Sequence, residues 1–169
     1  MTITYFNPIP QTLEDLKKAY RALILDNHPD KVKEHLKEKA HAITKRINAE
    51  YEHLFNKLKN THRTFDGDIY TSTKENTESS QDFIDLIEQL IHIPNIVIEI
   101  IGTFVWVSGE TKPIKDLLKK LKFAWAPKKK AWYLKPPNYV RKSRKNYSLD
   151  DIRNMYGSEE VETRTRTAI

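Results

Sequence analysis

The chain has no cysteine. That excludes disulfide staples and thiolate metal sites, and it fits a reducing compartment. Only four glycines occur in 169 residues, and none sits in a phosphate-cradling loop. No nucleophile–base pair or metal triad accompanies them, so no enzymatic activity and no cofactor are expected. The opening Met1-Thr2-Ile3-Thr4-Tyr5 lacks a basic region followed by an apolar core and is not read as an export signal. The longest apolar stretch, Ile96 to Val107, is interrupted by Glu99 and Gly102-Thr103, too short a run to span a bilayer. A cytoplasmic location with no membrane partner is the expectation. What remains is a highly charged chain, 29 Lys and Arg against 23 Asp and Glu, long enough for one ordinary domain or two small ones. Its net charge of +6 favours an acidic partner without specifying which.

Pro8 and Pro10 keep a regular helix from starting before residue 11, because each ring removes a backbone donor. Thr12 then reads as an N-cap with Asp15 three residues on, a capping-box spacing. Leu13, Leu16, Tyr20 and Leu23 recur at three and four residues and form one apolar stripe. Lys17, Lys18 and Arg21 fall outside it and are expected to form a basic solvent face. Pro29 disfavours helix at His28, so the helix should stop near Asn27. A second helical rhythm runs through Leu36, Ala40, Ile43, Ile47, Tyr51, Leu54 and Leu58. Two such helices joined by a short loop pack antiparallel, stripe on stripe. His28-Pro29-Asp30 would then sit at the tip, exposed and rigid.

These residues resemble the DnaJ co-chaperone family. Lys17-Lys18-Ala19-Tyr20-Arg21-x-Leu23 is similar to its second helix, and His28-Pro29-Asp30-Lys31 to its signature loop. Ile47-x-x-x-Tyr51-Glu52-x-Leu54 is similar to the end of its third helix. The likeness covers roughly residues 5 to 60. It departs from the family at Tyr5 to Pro10, where a short first helix and a glycine are usual, and no glycine-rich linker or zinc-binding cysteines follow. The resemblance implies a partner, a DnaK-type ATPase chaperone. Lys17, Lys18 and Arg21 would form its electrostatic dock, and His28, Pro29, Asp30 and Lys31 its signature contact. Hydrolysis would belong to the partner. Basic charge steers encounter with an acidic surface, and a proline-locked loop loses little entropy on docking.

From Asn60 to Ser80 the periodicity disappears, and residues 61–80 read as a flexible linker. Asp66 and Asp68 lack the further spaced acids of a calcium loop, so no metal site is expected. Residues 81–157 then read as a second domain. Phe83, Leu86, Ile87 and Leu90 suit a helix that Pro94 ends. The β-branched run Ile96 to Ile101 and Phe104 to Val107 form a hairpin about Gly102-Thr103. A helix begins near Lys112-Pro113. Phe123 to Ala126 and Ala131 to Leu134 form another hairpin about Pro127-Lys128-Lys129-Lys130. Ser148 caps a last helix, Leu149 to Tyr156, closed by Gly157. The expected fold is α+β: an N-terminal J-domain-like hairpin over 1–60, then a small α-ββ-α-ββ-α domain, with a disordered tail over 158–169.

The second domain is similar to poorly characterised domains of phages, plasmids and conjugative elements, and more faintly to a tryptophan-bearing hairpin of proteins that remodel DNA. The likeness rests on Gly102-Thr103-Phe104-Val105-Trp106-Val107 and on Phe123-x-Trp125-x-Pro127-x-x-Lys130-x-Trp132-Tyr133. A bacterial or mobile-element source is the expectation this likeness suggests. Between residues 112 and 145 thirteen cations face one carboxylate, Asp116, so the rest of the chain is net acidic. Lys119, Lys120, Lys122, Lys128, Lys129, Lys130, Arg141, Lys142, Arg144 and Lys145, interleaved with aromatics, are candidates for binding DNA or RNA. Against that stands the ordinary alternative, in which Trp106, Trp125 and Trp132 are core of a small sheet and the lysines merely solvated. Two functions are therefore expected to compete. One is a co-chaperone that brings a DnaK-type ATPase to a target held by the basic domain. The other is a nucleic-acid-binding accessory protein in which the N-terminal hairpin is scaffold or partner dock.

Overall fold

The computed structural model describes residues 1–137, 139–141, 145–156 and 161–162. It mixes helix and sheet, and its chain divides into two compact units. Met1–Arg63 with Ile69–Glu88 forms the first, and Thr64–Asp68 with Gln89–Ile169 the second.

In the first unit, helix α1 spans Leu13–Asn27. The Thr12 hydroxyl caps it by accepting from the Asp15 backbone N–H at 3.2 Å. It ends where Pro29 holds His28 in an extended conformation. Helix α2 spans Lys37–Leu58. Leu36, read from sequence as the head of its stripe, lies in a short 3-10 turn and is exposed. Tyr20 donates to Asn48 at 2.9 Å, whereas Asn27, later in α1, accepts from Thr44, earlier in α2. That reversal makes the pair antiparallel. Leu13, Leu16, Tyr20 and Ile24 are buried, as are Ile47, Tyr51, Leu54 and Phe55; the Tyr20 and Tyr51 rings lie 4.4 Å apart. The segment ahead of α1 is fastened by a buried carboxylate on α2. Glu50 accepts from the Thr4 and Tyr5 backbone N–H groups at 3.0 and 2.9 Å.

Residues 61–80 are not the flexible linker the composition suggested. Strands β1 (Thr61–Arg63) and β2 (Ile69–Thr71) pair antiparallel. His62 contacts Glu14 at 2.6 Å and Arg63 donates to Asp15 at 2.9 Å, so α1 supplies anchors that a local reading of this stretch cannot see. Asn76 bonds the carbonyl of Lys59 and the side chain of Asn60, and its own side chain accepts from the Glu78 backbone. Helix α3 spans Ser80–Leu90. Sequence assigned it to the second domain, yet through Glu88 it belongs to the first unit. The reason is Phe83, whose ring lies 5.9 Å from those of both Tyr20 and Tyr51.

The second unit is an antiparallel sheet of β3 (Ile96–Ile101), β4 (Phe104–Gly109), β5 (Ala124–Ala126), β6 (Ala131–Leu134) and β7 (Val161–Glu162), in the order β5-β6-β4-β3-β7. Its helices are α4 (Lys115–Lys120) and α5 (Leu149–Tyr156). Strand β7 falls within the tail expected to be disordered: backbone pairing with Val97 and Ile98 gives it order. Gly157, expected to close α5, and the rest of that tail lie outside the described residues. Successive side chains of a strand alternate between faces. The registers therefore place Ile98, Val107, Trp132 and Trp125 on one face, and Glu99, Trp106 and Tyr133 on the other. Leu149 and Ile152 of α5 pack with Tyr133 against Ile101, Trp106 and Ala131. Glu99, fully buried, accepts from Arg153 of α5 through both oxygens, at 2.8 and 2.7 Å.

Several left-handed positions shape this unit, among them Gly109, Lys122 and Lys130. Gly109 has φ +91°, and a Cβ there would meet the Asn95 carbonyl oxygen at 2.4 Å, so only glycine fits. Lys122 and Lys130 have φ +68° and +50°. Lys122 ends α4 with the two reciprocal bonds of a Schellman turn, its N–H to Lys119 and that of Phe123 to Leu118. Glycine is the ordinary occupant of such a site, and a side chain there costs about 1–2 kcal/mol.

Candidate functional site

Pro29 and the end of α1 hold His28 at the junction between the helices. Its side chain caps the 3-10 turn Pro29–Lys31 by accepting from the Asp30 N–H at Nδ1, 3.2 Å away. That leaves Nε2 as the protonated nitrogen of the neutral ring, and it faces Glu88 Oε1 at 3.2 Å. His28 is only 5% exposed and Pro29 is buried, whereas Asp30 and Lys31 are exposed. Partial burial lowers the Lys31 ammonium pKa, against the opposing pull of the Asp26 carboxylate.

The face of α1 read as solvated is largely covered. Lys17 is 8% exposed and Arg21 4%, with Lys18 half-buried between them. Lys17 donates to both oxygens of Glu78 at 2.7 Å, and its Nζ stands 4.9 Å from the centre of the Phe83 ring. Charge pairing and a cation–π contact together replace the water this ammonium would otherwise have. Burial, then the carboxylates of Glu88 and Asp85, raise the pKa of the Tyr20 hydroxyl. Burial and then Glu78 do the same to Tyr51. Residues 78–88 thus lay an acidic, aromatic strip along the basic helix. Lys17 is held by Glu78, His28 faces Glu88 and Arg21 is buried, so the face expected to be solvated is closed.

Sequence reasoning missed Glu78, Phe83 and Glu88. The available signal was complementarity. An amphipathic segment with acids at 78, 82, 85 and 88 lies further along the same chain as this basic helix face.

In the second unit Trp106 and Trp132 are buried, and Trp132 donates to Thr111 at 3.2 Å. Trp125 differs: on the edge strand β5 it is 43% exposed, its ring centre 5.4 Å from that of Trp132. Lys119, Lys120, Lys122, Lys128, Lys130, Arg141 and Lys145 are exposed and Lys129 is half-buried. Lys142 and Arg144 lie outside the described residues. Among the described residues, no helix is long and apolar enough to cross a membrane. Comparison of the chain with protein-family models, curated proteins and solved structures finds no match to any of them.

Proposed function

We propose that this chain is a co-chaperone of the J-domain type, which docks its α1–α2 hairpin on a DnaK-type ATPase chaperone in the cytoplasm and brings it to a target held by the second unit. The observation that carries the reading is the His28-Pro29-Asp30 turn at the junction of two antiparallel helices, beside Lys17, Lys18 and Arg21 on the first. The hairpin contributes contact surface, and the chaperone performs the hydrolysis. Docking then requires residues 78–88 to leave the basic face. A dock open only part of the time binds with an affinity reduced by that fraction.

Steady-state ATP turnover by a DnaK-type chaperone, titrated with the chain, tests this. The intact chain is expected to accelerate turnover, and His28→Gln to abolish the acceleration. Equal acceleration by the variant, or none by the parent, sinks the reading. Glu78→Gln with Glu88→Gln removes the charge pairing while leaving Phe83 in its packing. This double variant is expected to reach half-maximal acceleration at about fivefold lower concentration, the factor that about 1 kcal/mol commands. An unchanged half-maximal point would mean that these contacts do not restrain the dock, with the co-chaperone reading itself intact.

A further inference from the structure

Among residues 112–135 nine lysines face a single carboxylate, Asp116, and the second unit exposes one tryptophan, Trp125, while burying the other two. Solvated lysines are ordinary on a surface, and so is a half-exposed indole. Their arrangement about β5 is less so. Lys122 comes two residues before the strand and Lys130 ends the turn after it, and both occupy left-handed backbone conformations. Glycine fits such positions without strain and lysine does not. Glycine would sit at either place with less strain, so the backbone there does not call for lysine. Along the chain the two lysines flank the indole, one on each side. At about 3.3 Å per residue, Lys122 and Lys128 each lie within about 10 Å of Trp125 along the chain.

We infer that the β5 edge, with Trp125 flanked by Lys122 and the lysines of the 127–130 turn, binds single-stranded nucleic acid. The lysines take backbone phosphates, and the indole, braced on one side by Trp132, stacks on a base. Stacking is what selects a single strand over a duplex. An unpaired base presents its π-face to an aromatic ring, whereas in a duplex both faces of each base are stacked on neighbours. Acidic protein surfaces would answer to the lysines but give the indole no base to stack on. The inference is independent of the chaperone reading, because every residue it uses lies in the second unit.

The test is binding of the full chain to labelled oligothymidylate, and to a duplex of the same length, across about 50–200 mM salt. Tight binding to the single strand, with quenching of tryptophan emission, is expected. Trp125→Ala should weaken it about tenfold with the salt slope unchanged. Lys122→Gly with Lys130→Gly should weaken it and flatten the slope by about 1.4, the share of two phosphates on a single strand, while the melting temperature holds or rises. That last readout separates a missing phosphate ligand from a damaged fold. No binding at the lowest salt overturns the inference. So does a Trp125→Ala variant that binds strand and duplex as the parent does, which would leave only general attraction between lysines and polyanions.

Discussion

Arg153→Leu is expected to destabilise the sheet-bearing unit by about 3–5 kcal/mol, enough to unfold a marginal domain at ordinary temperature. Glu99 stands in the middle of β3 with no exposed surface. Both its oxygens accept from one guanidinium, Nε at 2.8 Å and Nη2 at 2.7 Å, the planar fork that suits a carboxylate best. The same arginine also donates to Asp150 on α5. Leucine would keep much of the volume but supply no donor, leaving a buried carboxylate short of its charge partner. All three tryptophans lie in this unit, so urea unfolding followed by tryptophan emission reports on it selectively. Changing Glu99 to leucine as well should restore a large part of the loss, since an apolar pair often replaces a buried ionic pair at little cost. A single variant that unfolds at the parent's midpoint would show that the pair does not fasten α5 to the sheet.

Glu50→Gln is expected to cost about 2 kcal/mol near neutral pH, with a gap that closes in acid. Burial pushes the Glu50 carboxyl up, but the N–H groups of Tyr5 and Thr4, the Arg46 guanidinium and the Phe6 N–H outweigh it and hold the pKa below the usual glutamate value. A carboxylate whose pKa is depressed by folding adds stability that is fully present above its unfolded pKa of about 4.3. That contribution is lost as pH falls through the lower folded value. The difference between parent and variant should therefore be constant from about pH 6 to 8 and shrink below about pH 4. Urea unfolding of the helices followed by circular dichroism at several pH values checks it. A gap as wide in acid as at neutrality would remove the charged form of Glu50 from the account.

Local rules made much of this architecture legible. Thr12 and Pro29 bound α1, Ser148 caps α5 by accepting from Asp151, and the β-branched run 96–101 turns at a two-residue corner with Gly102 at φ +56°. Each of these depends on residues within a few positions of one another. What escaped depended on partners far along the chain. The Lys17–Glu78 and His28–Glu88 pairs join residues 61 and 60 positions apart, and a charged helix face whose cover lies that far along the chain reads as solvated. The stretch 61–80 looked like linker because its order comes from Glu14, Asp15, Lys59 and Asn60. Glu99 looked like an interruption of an apolar run, because Arg153 lies 54 residues away. Burial of opposite charges can be guessed from composition, but which pairs meet is decided by tertiary packing.

Gly109 bears on a hazard that β3 would otherwise carry. Ile96-Val97-Ile98-Glu99-Ile100-Ile101 is apolar at five of six positions, so turning it over would exchange one greasy surface for another. A strand of that kind discriminates poorly between its true ladder and one displaced by a single residue. Two fixtures close the decoy. Gly102-Thr103 sets one end of the hairpin, and at the other Gly109 lies so near Asn95 that only a residue without Cβ fits. There the Glu110 N–H meets the Asn95 carbonyl at 2.9 Å. Displaced by one residue, the ladder would set a bulkier side chain against Asn95 and aim Glu99 away from Arg153. A residue with no side chain thereby decides on which side the unit hides a fully buried carboxylate.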